Sequence, residues 1–195
     1  MTALILGLII IASGAGLTVL PSLIERSLFR PYWLVPRRQY PTLLTSGFMH
    51  ANFAHLAFNA FTLWSFGVPL ERATGRGRFL ALYATGLLVS DAGTWLKHRN
   101  DPEYASLGAS GAILAVLFAS IVYYPTESLY VMPLPVPLPA PLFAAGYLAY
   151  SWYAARLQRG RINHDAHFSG ALAGLAFVAL TDPAACRRAF AALLR

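Results

Sequence analysis

Gly108-Ala109-Ser110-Gly111-Ala112 sits just inside an uncharged run over residues 104–126. Small residues around a serine are ordinary wherever helices pack closely in a bilayer, so this stretch alone reads as a packing motif. Two other stretches answer it. Upstream stands His50-Ala-Asn52-Phe-Ala-His55-Leu-Ala-Phe-Asn59, and downstream His164-Asp-Ala-His167-Phe-Ser-Gly170-Ala-Leu-Ala-Gly174. All three place polar, chemically capable groups inside apolar runs, where such groups are costly and mark function.

Composition sets the solvent. Hydrophobic residues make up 57% and charged ones 12%, at a mean hydropathy of +0.53. An average soluble domain carries about twice that charged share. The reading is an integral membrane protein of a single domain over residues 1–195, with no extra soluble domain. The net charge of +7 does not point to nucleic acid. The basic residues fall in short clusters between apolar runs, where they meet lipid headgroups instead. Cys186 is the sole cysteine, which excludes an intrachain disulfide and a cysteine-based metal site. No Lys or Arg precedes Arg26, so the apolar N-terminal run lacks the basic start of a signal peptide. It reaches Ile24 and is read as a retained span.

Taken in order, the chain predicts six transmembrane helices over 2–20, 53–70, 79–96, 110–124, 142–155 and 165–180. The first connection mixes Arg26, Arg30, Arg37 and Arg38 with Phe29, Tyr32, Trp33 and Tyr40, a composition suited to a loop partly embedded at the interface. Gly67-Val-Pro69-Leu-Glu71-Arg72-Ala-Thr-Gly75 is read as the turn that closes the second helix, and Asp91 as interfacial near the mouth of the third. Pro125, Pro133, Pro135, Pro137, Pro139 and Pro141 predict an extended connection. Arg156, Arg159 and Arg161 form the next turn, and a short basic tail ends the chain. The distribution of Lys and Arg does not fix the orientation, because the first connection skews the positive-inside count.

Spacing then assembles a site. Asn52, His55 and Asn59 share one face near the start of the second helix, with His50 in its entry turn. His164, His167, Gly170, Ala171 and Gly174 share a face of the sixth. Gly111, Ala115 and Ala119 on the fourth offer a matching bare surface, which would bring His167 level with Ser110. A serine hydroxyl becomes a nucleophile only when a base takes its proton, and a neutral imidazole at about 3 Å would serve. A serine in the first helical turn lies among unpaired N–H groups that suit a developing oxyanion. His55 and Asn59 would add side-chain donors. His50, His55, His164 and His167 could instead bind a metal, but no HExxH pattern and no carboxylate on both faces supports one. No metal and no other cofactor is expected.

These motifs, in this order, resemble the rhomboid intramembrane serine proteases: His50-x4-His55-Leu-x2-Asn59, Gly108-Ala-Ser110-Gly111, and Ala-His167-x2-Gly170-x3-Gly174, with Gly67-x3-Glu71-Arg72-x2-Gly75 between them. The resemblance implies a six-helix rhomboid-like bundle and a Ser110–His167 dyad. It implies an oxyanion hole from the Ser110 N–H, His55 and Asn59, with Gly108, Gly111, Gly170, Gly174 and His50 shaping the site. It implies cleavage in or beside transmembrane segments of other membrane proteins. By analogy Ser110 opens to the side opposite the termini, outward in a bacterial inner membrane. Two departures stand out. Leu114 occupies the place of a tyrosine that stacks on the catalytic histidine in well-studied members, and the first connection lacks the Trp-Arg pair typical of the family, with Arg37-Arg38-Gln39-Tyr40 nearby.

Overall fold

A computed structural model of the chain describes residues 1–131, 136–157 and 162–194. In chain order the elements are α1 Thr2–Thr18, α2 Pro21–Ser27, α3 Thr42–Thr45, a single 3₁₀ turn at Ser46–Phe48, α4 Phe53–Thr74, α5 Arg76–His98 and α6 Ser110–Tyr123. There follow β1 Ser128–Tyr130, β2 Pro137–Pro139, α7 Ala140–Leu157, α8 His164–Thr181 and α9 Pro183–Leu193.

The centre is α6. It is apolar on every side, as a helix enclosed by others must be, and all its residues from Gly111 to Ile121 are buried. Helices α4, α5 and α8 surround it, and glycine sets how near they come. A Cβ on Gly170 would lie 2.2 Å from the Gly111 carbonyl oxygen, and one on Gly174 2.2 Å from that of Ala115. A Cβ on Gly86 of α5 would lie 2.5 Å from the Ala115 Cβ. These crossings are backbone against backbone, so dispersion contacts replace the absent hydrophobic driving force.

The bundle has two chemically distinct ends. At one, Glu71 Oε2 accepts from the Thr2 N–H at 2.7 Å, and the Tyr123 hydroxyl donates to Asp182 at 2.8 Å. Tyr123, then the Ala185 N–H, hold the Asp182 carboxyl below the usual carboxylate range. Asp182 also caps α9, accepting from the Ala185 N–H at 3.1 Å. The first turns of α4, α6 and α8 gather at the other end, with the last turns of α1 and α5.

Several expectations need correction. The N-terminal run to Ile24 is not one continuous helix. Helix α1 stops at Thr18, and α2 leaves it at 117° with Pro21 in its first turn. Proline starts a helix readily but cannot sit inside one without loss of a hydrogen bond. The six spans do not follow from length and composition either. Six long helices are present among the described residues, yet only α5 is by itself long and apolar enough to cross a bilayer, or up to three if the bent pairs α1–α2 and α8–α9 are each one span. Helix α6 has 14 residues and is sheathed by protein, so it need not span. Helices α4 and α7 carry His55, Asn59 and Trp64, or Tyr147, Tyr150 and Tyr153, whose hydropathy is low.

The glycine-proline stretch 67–75 is not a turn. Helix α4 runs through Pro69 to Thr74, and only Gly75, at φ 81°, reverses the chain. Asp91 is buried inside the bundle, and its Oδ2 has no partner among the described residues. The proline-rich connection forms a small antiparallel hairpin, Ser128 opposite Pro139; Pro133 and Pro135 lie outside the described residues, as do Arg159, Arg161 and Arg195. The basic tail is helical, α9, turned 106° from α8. The first connection is folded onto the bundle: Phe29 is fully buried and exchanges backbone hydrogen bonds of 2.9 and 3.0 Å with Ser106, and Arg37 lies 3.6 Å over the Trp33 ring.

Candidate active site

Each helix that contributes to the site does so from its first turns. Asn52 caps α4, its Oδ1 accepting from the His55 N–H at 2.8 Å. That cap fixes where α4 begins and so where His55 points. Asn59 lies one turn below, buried, and one of its amide N–H groups is spent on the His55 carbonyl at 3.0 Å. Only the second N–H is left for another acceptor. His50 is fully buried before the helix. Its Nδ1 lies 2.9 Å from the Ser13 hydroxyl, which itself donates to the Phe48 carbonyl at 2.9 Å. The shared hydroxyl therefore accepts from His50, which puts the His50 proton on Nδ1. The His50 ring then meets His55 edge to face at 4.8 Å.

The loop before α6 needs glycine at one point. Gly108 has φ 131°, and a Cβ there would come 2.7 Å from Cε1 of His55. Backbone and imidazole are thus in contact, which no side chain at 108 would allow. Ser110 is the first residue of α6, and no side chain caps the helix. The first helical bond runs from the Ile113 N–H to the Ala109 carbonyl at 3.0 Å. The N–H groups of Ser110, Gly111 and Ala112 have no helical acceptor, and the positive end of the helix dipole lies among them.

Helix α8 brings His167. Asn163 caps it, accepting from the Ala166 N–H at 3.0 Å while donating to the Thr94 hydroxyl of α5 at 2.9 Å. Asp165 binds Lys97 and His98 of α5 at 3.0 Å each, and His98 stacks on Tyr104 at 3.6 Å. These contacts pin the start of α8. His167 Nε2 then lies 2.8 Å from Ser110 Oγ, and Nδ1 lies 3.0 Å from the Tyr147 hydroxyl of α7. Among the described residues no carboxylate touches His167. The His164 ring meets it edge to face at 6.0 Å. Replacing Asn163 with alanine should cost about 1–2 kcal/mol, because a cap and an interhelical bond are lost together; thermal unfolding in detergent would measure it.

Ser110 and His167 are therefore in hydrogen-bond contact, and His55 stands against the Gly108 backbone two residues before Ser110. Asn59 is near in sequence but partly engaged, and His50 lies behind His55. Gly111, Gly170 and Gly174 are at the α6–α8 crossing. Sequence reasoning missed Tyr147. It sits in α7 among Phe143, Tyr150, Trp152 and Tyr153, a pattern indistinguishable from lipid-facing aromatics. Leu114 is buried in the same apolar cluster against which Tyr147 packs.

A family model described as the Rhomboid domain matches residues 37–183. The chain is 29% identical over 163 residues to "Rhomboid protein 1, mitochondrial" of Saccharomyces cerevisiae, covering 76% of this chain and 45% of that protein. It is 32% identical over 142 residues to "Presenilin-associated rhomboid-like protein, mitochondrial" of Rattus norvegicus, covering 70% and 37%. A third relative, "Rhomboid protease GluP" of Bacillus subtilis, is 38% identical over 86 residues, 44% of this chain and 16% of that protein. The chain thus spans less than half the length of these relatives. Proteins named as mitochondrial stand beside bacterial ones, so the similarity gives no support to a bacterial inner membrane in particular.

Proposed function

This chain belongs to the rhomboid family, and from that premise we propose that it is a serine endopeptidase hydrolysing peptide bonds in or next to transmembrane segments of other membrane proteins. Membership and the apolar helices make it an integral membrane protein. The observation that carries the reading is the 2.8 Å contact between Ser110 Oγ and His167 Nε2, made between two helices whose separation glycines hold to backbone contact.

His167 Nε2 takes the Ser110 proton as Oγ attacks the scissile carbonyl carbon. Charge grows on the carbonyl oxygen. The Ser110 N–H, the imidazole N–H of His55 and the second amide N–H of Asn59 are the donors we assign to it. The tetrahedral adduct collapses as Nε2 returns the proton to the leaving amine. A water then gives its proton to Nε2 and hydrolyses the Ser110 ester, which restores the hydroxyl. Ser110 and His167 are only partly buried, which leaves room for water and substrate. A bound transmembrane segment must unwind first, because a helix hides its carbonyls in its own hydrogen bonds. The bilayer and membrane-protein substrates are the partners this chemistry requires; nucleic acid has no place in it.

The test is cleavage of a transmembrane reporter by the purified protein in detergent, combined with labelling by a serine-reactive fluorophosphonate. Cleavage together with a label mapped to Ser110 is expected. An unlabelled, inert protein on several reporters would instead indicate a family member that binds transmembrane helices without cutting them.

A further inference from the structure

The His167 ring makes two hydrogen bonds, and the proposed mechanism uses only the one to Ser110. The other joins Nδ1 to the Tyr147 hydroxyl at 3.0 Å, from a different helix. To accept from Ser110, Nε2 must be unprotonated, so the neutral ring carries its proton on Nδ1 and donates it to Tyr147 Oη. A phenol can also donate. Were Tyr147 to give its proton to Nδ1, the imidazole proton would sit on Nε2 and the ring could not serve Ser110. The hydrogen bond helps only if the phenol proton is engaged elsewhere.

Ser151 provides that place. It lies one turn further along α7, at the i+4 position on the face that carries Tyr147. Its side chain is fully buried, and Oγ has no hydrogen-bond partner among the described residues. A buried serine hydroxyl without a partner is costly, and accepting from Tyr147 would relieve it. Among the described residues no acid takes this role. Asp165, on the same helix as His167, is committed to Lys97 and His98. Tyr147 packs against two rings, Phe143 at 5.5 Å and Phe118 at 5.9 Å between centroids.

We propose that Tyr147, backed by Ser151, is a positioning residue that fixes the tautomer and rotation of His167, with Tyr147 Oη accepting from Nδ1–H while it donates to Ser151 Oγ. The inference rests on the serine-peptidase reading for its effect on rate, but the tautomer can be read without any substrate. The experiment compares wild type with Tyr147→Phe and Ser151→Ala in detergent. Three quantities are measured: kcat and KM on a reporter, thermal unfolding, and ¹⁵N chemical shifts of labelled histidine, with His167 assigned from its alanine variant.

Tyr147→Phe keeps the ring and its packing. The expected result is kcat lower by about tenfold with KM and the unfolding midpoint nearly unchanged. Its His167 ¹⁵N shifts should move from a single Nδ1–H tautomer to a mixture. Ser151→Ala should move both readouts the same way and less far. An unchanged tautomer in Tyr147→Phe overturns the proposal whatever the rate does, and so does a mixed tautomer at wild-type kcat. A wild type that neither cleaves nor labels at Ser110 sinks the peptidase reading instead, while the tautomer comparison still judges Tyr147.

Discussion

Replacing His167 by alanine will abolish cleavage as completely as replacing Ser110 by alanine, and the double variant will be no slower than either. The two groups are 2.8 Å apart and, in the proposed mechanism, share one proton transfer. Ser110 without its base is an alcohol of ordinary reactivity, and His167 without its nucleophile has nothing to deprotonate. Groups that act as one unit are grossly non-additive, and the loss for such a pair is on the order of 10⁴ to 10⁶ in kcat. What rate remains would come from the N–H groups at the start of α6 and from substrate binding alone. Reporter cleavage with purified variants, followed for long enough to see four decades, is the measurement. Losses that multiply in the double variant would mean that the residues act independently, and the dyad would then be wrong. Fluorophosphonate labelling separates the roles. It should vanish in Ser110→Ala for want of the atom and slow sharply in His167→Ala for want of activation.

The second large effect is on the fold. Gly170→Ala should destabilise the protein by at least about 3 kcal/mol, and Gly174→Ala by a similar amount. A Cβ at either position would stand 2.2 Å from a carbonyl oxygen of α6. That obstacle is backbone in the middle of a buried helix, so no rotamer change relieves it and α8 must move away from α6. Gly146→Ala on α7 is the control, because nothing lies within 4 Å of the added carbon. Alanine there gains helix propensity, and stability should hold or rise by about 0.5–1 kcal/mol. Unfolding midpoints in one detergent would rank the three. Activity should follow the same order, because separation of α8 from α6 lengthens the Ser110–His167 contact. A Gly170→Ala variant as stable as wild type would contradict the close crossing.

Much of this was legible in the chain. The helix starts at Phe53, Ser110 and His164 fall within a residue of where the apolar runs and polar spacing put them, because that pattern is carried by each stretch locally. The small faces of α6 and α8 were readable as well, since period and side-chain size are both properties of sequence. Local rules failed where tertiary contact overrode them. Pro69 sits inside α4 although proline breaks helices, and the helix runs on to Glu71, whose carboxylate accepts from the Thr2 N–H of α1. Leu28 to Ser46 is not an open loop, because Phe29 and Pro31 are fully buried. The prolines after Pro125 suggested only extension, whereas pairing of β1 with β2 requires both strands at once.

The sequence by itself therefore determined the solvent, the helical class and the residue types present for catalysis, because hydropathy, periodicity and side-chain chemistry are carried by each stretch independently. Only the tertiary structure decided the rest. It brings Ser110 to His167 from positions 57 residues apart, sets Gly108 against His55, buries Asp91 and turns Tyr147 from an apparent lipid-facing ring into a partner of Nδ1. Distance and direction between helices depend on how closely their backbones approach. That approach is fixed by pairs of surfaces, and neither surface specifies it alone.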